Sequence, residues 1–151
     1  MAQSDSNRRE GSIVWGNEVK GLRLGVAADG DSVRLYLWNA GEIALDVWSH
    51  VAAVGVHYDW FTCSIEDGAG RVRAIGFIDN RDRSVPMRKH LAPGERLHHT
   101  IDLQSWAARR VNGGSPPAPG SYKLTATYKV DDGRDVWQGE LAAGPVELVI
   151  R

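Results

Sequence analysis

The residues that could do chemistry in this chain are few. His98 and His99 are adjacent, and neighbouring residues on a strand point to opposite faces, so the two do not chelate one metal ion. His99 falls on an apolar row with Leu97, Ile101 and Leu103, which predicts a hydrogen-bonded, partly buried imidazole, with His98 exposed. Asp79-Asn80-Arg81-Asp82 has the acidic start of a calcium loop, but such a loop needs glycine at its sixth position and glutamate at its twelfth. Those positions are Ser84 and His90, so a charged turn is expected instead. Asp29-Gly30-Asp31 and Asp131-Asp132-Gly133 read as turns too. The one cysteine, Cys63, cannot form an internal disulfide and has no base beside it in the sequence, so a small buried apolar residue is expected. Nucleophile-elbow, zinc-protease, phosphate-loop and dinucleotide patterns are missing. The chain therefore reads as a non-enzyme without metal or cofactor.

A second kind of chemistry is recognition. The chain holds six tryptophans, spread along it as Trp15, Trp38, Trp48, Trp60, Trp106 and Trp137. Arg34, Tyr36 and Trp38 alternate with Val33, Leu35 and Leu37 and so share the outer face of one strand, where Tyr36 and Trp38 would stand side by side. An exposed aromatic pair of this kind is a platform for protein or for sugar. A neighbouring loop covering the pair is the competing expectation. Arg71, Arg73, Arg81, Arg83, Arg88 and Lys89 form a mild basic cluster, interrupted by Asp79 and Asp82 and read as a solvated face.

The elements that must position these groups are short strands. Ser121 to Val130 alternates without exception, with Tyr122, Leu124, Ala126, Tyr128 and Val130 on one face. Leu22, Leu24 and Val26 form another row, and Val146, Leu148 and Ile150 the last. His57 to Ile65 and Arg71 to Ile78 flank the hairpin turn Glu66-Asp67-Gly68-Ala69-Gly70, though both arms are apolar on both faces and leave the core side open. Leu45 to Val47 predicts a short strand, Trp137 opens another before the last, and Gln104 to Arg110 predicts one helical turn. Asn112 to Gly120, with three prolines and three glycines, is a loop. The expected architecture is all-β, an immunoglobulin-like antiparallel sandwich of two sheets and about eight or nine strands. Residues 1–11 read as a disordered polar tail and 12–151 as a single domain.

Composition narrows the function classes. The apolar share is 42% and the charged share 25%, ordinary for a soluble globular protein, and the net charge of −1 gives no global attraction for nucleic acid or an anionic membrane. No apolar run approaches the roughly 18 residues of a membrane span. The start carries no signal-like stretch, so the chain reads as cytoplasmic as given, or extracytoplasmic if a signal has been removed.

Two stretches resemble known families. Trp15-Gly16-Asn17-Glu18-Val19-Lys20-Gly21-Leu22-Arg23-Leu24-Gly25, running into Leu35-Tyr36-Leu37-Trp38-Asn39, resembles bacterial immunoglobulin-like modules that open W-G-x-x-V-x-G-L-x-x-G and then reach a strand ending in R-N. Trp38 stands where that pattern has arginine. Leu91-Ala92-Pro93-Gly94-Glu95, Trp106 and Pro119-Gly120-Ser121-Tyr122-Lys123-Leu124 resemble the latter half of such modules and are similar to the intracellular proteinase inhibitor domain. The resemblance implies a structural or protein-interaction module that presents a sheet face or its end loops to another domain, subunit or copy. Its alternative is a proteinase inhibitor acting through the loop 111–120, with Trp106, Asn112 and Pro116 as contact residues. A carbohydrate-binding module using exposed Trp and Tyr is the third reading. Tyr122 stands just past a turn, where its hydroxyl can bond back to the backbone as in the tyrosine corner of sandwiches.

Overall fold

The computed structural model describes residues 12–53, 55–57, 60–76, 85–108, 114–131 and 135–151. The chain is an antiparallel all-β sandwich. Its elements run β1 (Val14–Trp15), β2 (Leu22–Asp29), β3 (Ser32–Asn39), β4 (Leu45–Ala53), β5 (Gly55–His57), β6 (Phe61–Glu66), β7 (Val72–Gly76), β8 (Val85–Leu91), β9 (Arg96–Asp102), a five-residue helix α1 (Leu103–Ala107), β10 (Gly120–Val130) and β11 (Gly139–Ile150). Eleven strands exceed the expected eight or nine because the two-residue β1 and the three-residue β5 pair as separate pieces. The short strand expected at Trp137 does not form. Trp137 precedes β11, which runs unbroken from Gly139.

Two sheets were expected and three hydrogen-bonded sheets are found, in the orders β1-β2-β3-β9, β11-β10-β6-β7 and β5-β4-β8. The third arises because β4 and β8 pair with each other instead of extending the first sheet. It shares the common core nonetheless, since Val47 and Leu91 bury beside Leu35, Phe61 and Leu124. The alternations place the apolar rows inward. Leu22, Leu24, Val33, Leu35, Leu37, Leu124, Ala126 and Tyr128 are fully buried, each large aliphatic contributing about 2 kcal/mol of transfer free energy. The hairpin β6–β7 resolves the open orientation: Phe61, Cys63 and Ile65 face the core, and Thr62, Ser64 and Glu66 face out. Its turn is set by Asp67, whose carboxylate accepts from the N–H groups of Ala69 and Arg71, both at 2.9 Å.

Asn39, at the end of β3, joins the first sheet to the third. It is fully buried. Its Nδ2 donates to the carbonyls of Ile43 (2.8 Å) and Leu91 (2.9 Å), and its Oδ1 accepts from the Gly41 N–H (3.1 Å). Its own N–H donates to Glu95 O and its carbonyl accepts from Gly94 N–H, at 2.9 and 2.8 Å. One residue, by side chain and backbone together, therefore holds the 40–44 connection, the end of β8 and the β8–β9 turn. Tyr128 makes the matching link from the second sheet, its hydroxyl donating to Trp48 O at 2.7 Å. Burial pushes that hydroxyl's pKa up, so it remains a donor.

Asn39→Ala removes the side-chain partner of the buried Leu91 carbonyl and of the part-buried Ile43 carbonyl and Gly41 N–H. A loss of about 3 kcal/mol or more is expected in urea unfolding, whereas truncating exposed Glu42 changes stability by less than about 0.5 kcal/mol.

Candidate functional site

The outer face of the first sheet is built in rows across three strands. Arg23, Trp38 and Arg96 lie opposite one another on β2, β3 and β9. Gly25, Tyr36 and His98 form the next row, and Ala27, Arg34 and Thr100 the third. A fourth row, Asp29, Ser32 and Asp102, closes the face at its far end. The first three rows carry three arginines, one histidine and no carboxylate. This segregation follows from period-two alternation: with Leu22, Leu24, Leu35, Leu37 and Ile101 inward, their neighbours must point out.

β1 is the edge strand of this sheet, paired to β2, and it sends Trp15 onto the face. Trp15 pairs with Gly25, and a Cβ at Gly25 would stand 2.7 Å from the indole carbons Cε3 and Cζ3. Only glycine admits the ring there, a cross-strand pairing in which an aromatic covers a bare backbone. Gly16 continues the same path, since a Cβ there would stand 1.8 Å from the Ala142 carbonyl oxygen of β11. Trp15 then sits 5.9 Å from Tyr36 and 5.3 Å from Trp38, measured between ring centroids. Ile13 and Ala27 complete a small apolar cluster over Tyr36.

This arrangement corrects the expectation of an exposed Tyr36–Trp38 pair in favour of the competing one, cover by a neighbouring segment, though Trp15 reaches over from β1 and not from a loop. Tyr36 is only 6% exposed, and Trp38 is half-buried against Trp15 and Arg23. The cover is the side chains of Trp15, on the edge strand paired to β2, and of Ile13 just before it. The rings instead orient cations: the Arg23 guanidinium lies 5.6 Å from the Trp38 centroid and that of Arg96 5.8 Å from the Tyr36 centroid. Arg23 is fixed further by its Nε, which donates to Gly16 O at 2.8 Å. The His98 ring lies 5.6 Å from Tyr36. Arg34 is half-buried near the start of β3.

The remaining expected contact residues lie elsewhere. Trp106 is 5% exposed and packs in the main core from α1, because that short helix turns its apolar side inward. Asn112 lies outside the described residues, and Pro116 is exposed. The flanks of this loop are anchored. Arg73 Nη2 donates to Ala107 O (3.0 Å) and Ser115 O (2.7 Å), and the Tyr122 hydroxyl donates to Ala118 O. The sequence reading passed over Trp15, Arg23 and Arg96. Their outward parity was available, but the neighbour relation of β9 to β3 was not.

The other polar residues are structural or quiet. Ser49, the bulged residue where the β4–β8 register shifts, is 7% exposed. His99 Nε2 donates to Ser49 O at 3.0 Å and lies 3.2 Å from its Oγ, which is 3.0 Å from His50 Nδ1. The tautomer that donates from Nε2 cannot take the serine proton at that atom, and its bond to Ser49 O ties β4 to β9. Burial drives the His99 pKa down to about 4, against the raising effect of the Ser49 carbonyl and with small contributions from His50 and His98. Burial also pushes the Cys63 thiol up to about 12, keeping it protonated. Among the described residues no group of three or more His, Cys, Asp or Glu could hold a metal ion, and no helix is long and apolar enough to cross a membrane. The Asp79–Asp82 turn lies outside the described residues. Trp48 and Trp60 stack at 5.4 Å and 8°, with Arg88 5.8 Å from the Trp48 centroid. No protein-family model matches the chain, and no curated protein matches it.

His99 gives the fold a pH dependence. Unfolded, the imidazole binds a proton near its ordinary 6.5; folded, it does so only near 4. Its contribution is complete above pH 6.5 and is lost as pH falls toward 4, by roughly 3 kcal/mol. Urea midpoints measured from pH 7 down to 4.5 should fall accordingly, and His99→Gln should flatten that slope.

Proposed function

We propose that the chain is a non-catalytic, immunoglobulin-like interaction module that binds a protein partner through the outer face of its first sheet. The observation that carries this reading is the composition of that face: Trp15, Trp38, Arg23 and Arg96 in mutual contact or register on four paired strands. Tryptophan, tyrosine and arginine dominate the energetic centres of protein interfaces because they bring large contact area and forked donors at low entropy cost. Arginines held against rings are ordered in advance, so less freedom is lost on binding. The bond from Tyr122 to Ala118 supports the immunoglobulin-like type, being the corner such sandwiches use before a long strand.

A proteinase inhibitor is the second reading, favoured by the anchoring of both flanks of the loop through Arg73 and Tyr122. Inhibitory loops need such bracing to resist cleavage. A serine and cysteine proteinase panel at ~10 μM protein checks it, and absence of inhibition there removes it. Carbohydrate stacking gains less support, since Tyr36 is covered.

The interaction reading is checked by a photo-crosslinking residue placed at exposed Thr100, beside Arg34, and in separate chains at Ser64 on the second sheet. In the native host, a discrete adduct from position 100 that is absent from position 64 is the expected result. Adducts of equal yield from both, or none from position 100, would refute the proposal.

A further inference from the structure

Resting on the interaction reading, we infer that the partner element is an acidic, extended polypeptide segment that runs in the direction of β3 across the outer face, over the Trp15 and Ile13 side chains that cover Tyr36, with carboxylates at alternate residues. Charge complementarity and strand geometry both point to it. The first three rows of the face hold Arg23 and Arg96 at one end and Arg34 at the other, with His98 between. Four residues along β3 separate the row of Trp38 from the row of Arg34, about 13 Å at strand rise. An extended segment repeats its side-chain direction every two residues, so carboxylates at i, i+2 and i+4 meet successive rows. The carboxylates of the face itself, Asp29 and Asp102, stand only in the fourth row, where they would repel the segment's end and fix its register.

The same residues argue against other occupants. A second copy docked face to face would set three arginines against three. The outer face of the second sheet is different in kind, because Lys123 pairs across the ladder with Glu147 and Lys129 with Glu140, so its charges answer one another. Single-stranded nucleic acid is held by bases stacking on open aromatic rings, and here Tyr36 is 6% exposed while Trp38 already meets Trp15 and Arg23. Phosphates would find the arginines, but bases would find no open tyrosine. A carboxylate-bearing chain needs the arginines alone.

Fluorescence anisotropy of a fluorescein-labelled peptide, five repeats of Glu-Thr, against the full chain reads this directly. Saturable binding is expected, weakening as salt rises from ~0.05 to ~0.3 M. Arg34→Gln and Arg96→Gln should each weaken it by about fivefold or more, and Lys123→Gln on the opposite sheet should leave it unchanged. Thermal melts matching the parent chain establish that the variants fold, and Arg34→Glu serves as a second reading of the same position. A peptide with its five glutamates in one block should bind more weakly than the alternating one. Failure to bind, indifference to Arg34→Gln and Arg96→Gln, or tighter binding of oligothymidylate or heparin than of the peptide would each overturn the inference. Should the peptide fail while crosslinking from position 100 still yields its adduct, the interaction reading stands and only the acidic character of the partner falls.

Discussion

A buried amide that must satisfy itself constrains this fold more than any other single group. Asn39 has no water to bond, so its two N–H donors and its oxygen must find backbone, and they find it in two segments that the chain visits far apart, at 41–43 and at Leu91. A hydrophobic side chain at this point would leave those carbonyls unpaired, and an aspartate would lose both donors. Because β3 already has β2 on one edge and β9 on the other, the following strand cannot pair beside it. It pairs with β8 instead, and the third sheet is the result. Tyr128 and Trp137 brace the same strand from the second sheet's side, through Trp48 O and Asp46 O. These are polar contacts spanning the joins between sheets, where aliphatic packing alone gives no register.

The outer face of the first sheet follows from a second constraint, the space left by Gly25. An alanine there would strike the Trp15 ring, so the N-terminal strand could not lie where it does. With the glycine, Trp15 reaches Tyr36 and Trp38, and the rings in turn hold Arg23 and Arg96. The aromatic groups are thus consumed in ordering cations. A face that promised stacking from its residue types presents oriented guanidinium groups instead.

Much of the architecture was written in local patterns. The run Ser121 to Val130 alternates strictly and forms β10 over Gly120–Val130. The Asp67 turn, the outward His98, the bonded and partly buried His99, the buried Cys63 and the Tyr122 corner all came from the chemistry of a residue and its immediate neighbours. The burial of Trp106 did not, because a five-residue helix is too short to show which side faces a core. Nor did the cover over Tyr36, since Trp15 and Tyr36 are linked only through the β1–β2–β3 ladder.

The residues alone determined that strands would form, where they turn, and which side of each is apolar, because alternation and turn chemistry act over two to five positions. Tertiary structure decided which strands became neighbours, that a third sheet would close the sandwich, and that three arginines from three separate strands would share one face, Arg23 over Trp38 and Arg96 over Tyr36. Those outcomes depend on register between segments up to about seventy residues apart, set by the burial of Asn39 and the gap at Gly25; pairing of that kind is a property of the assembled ladders and has no local sequence signature.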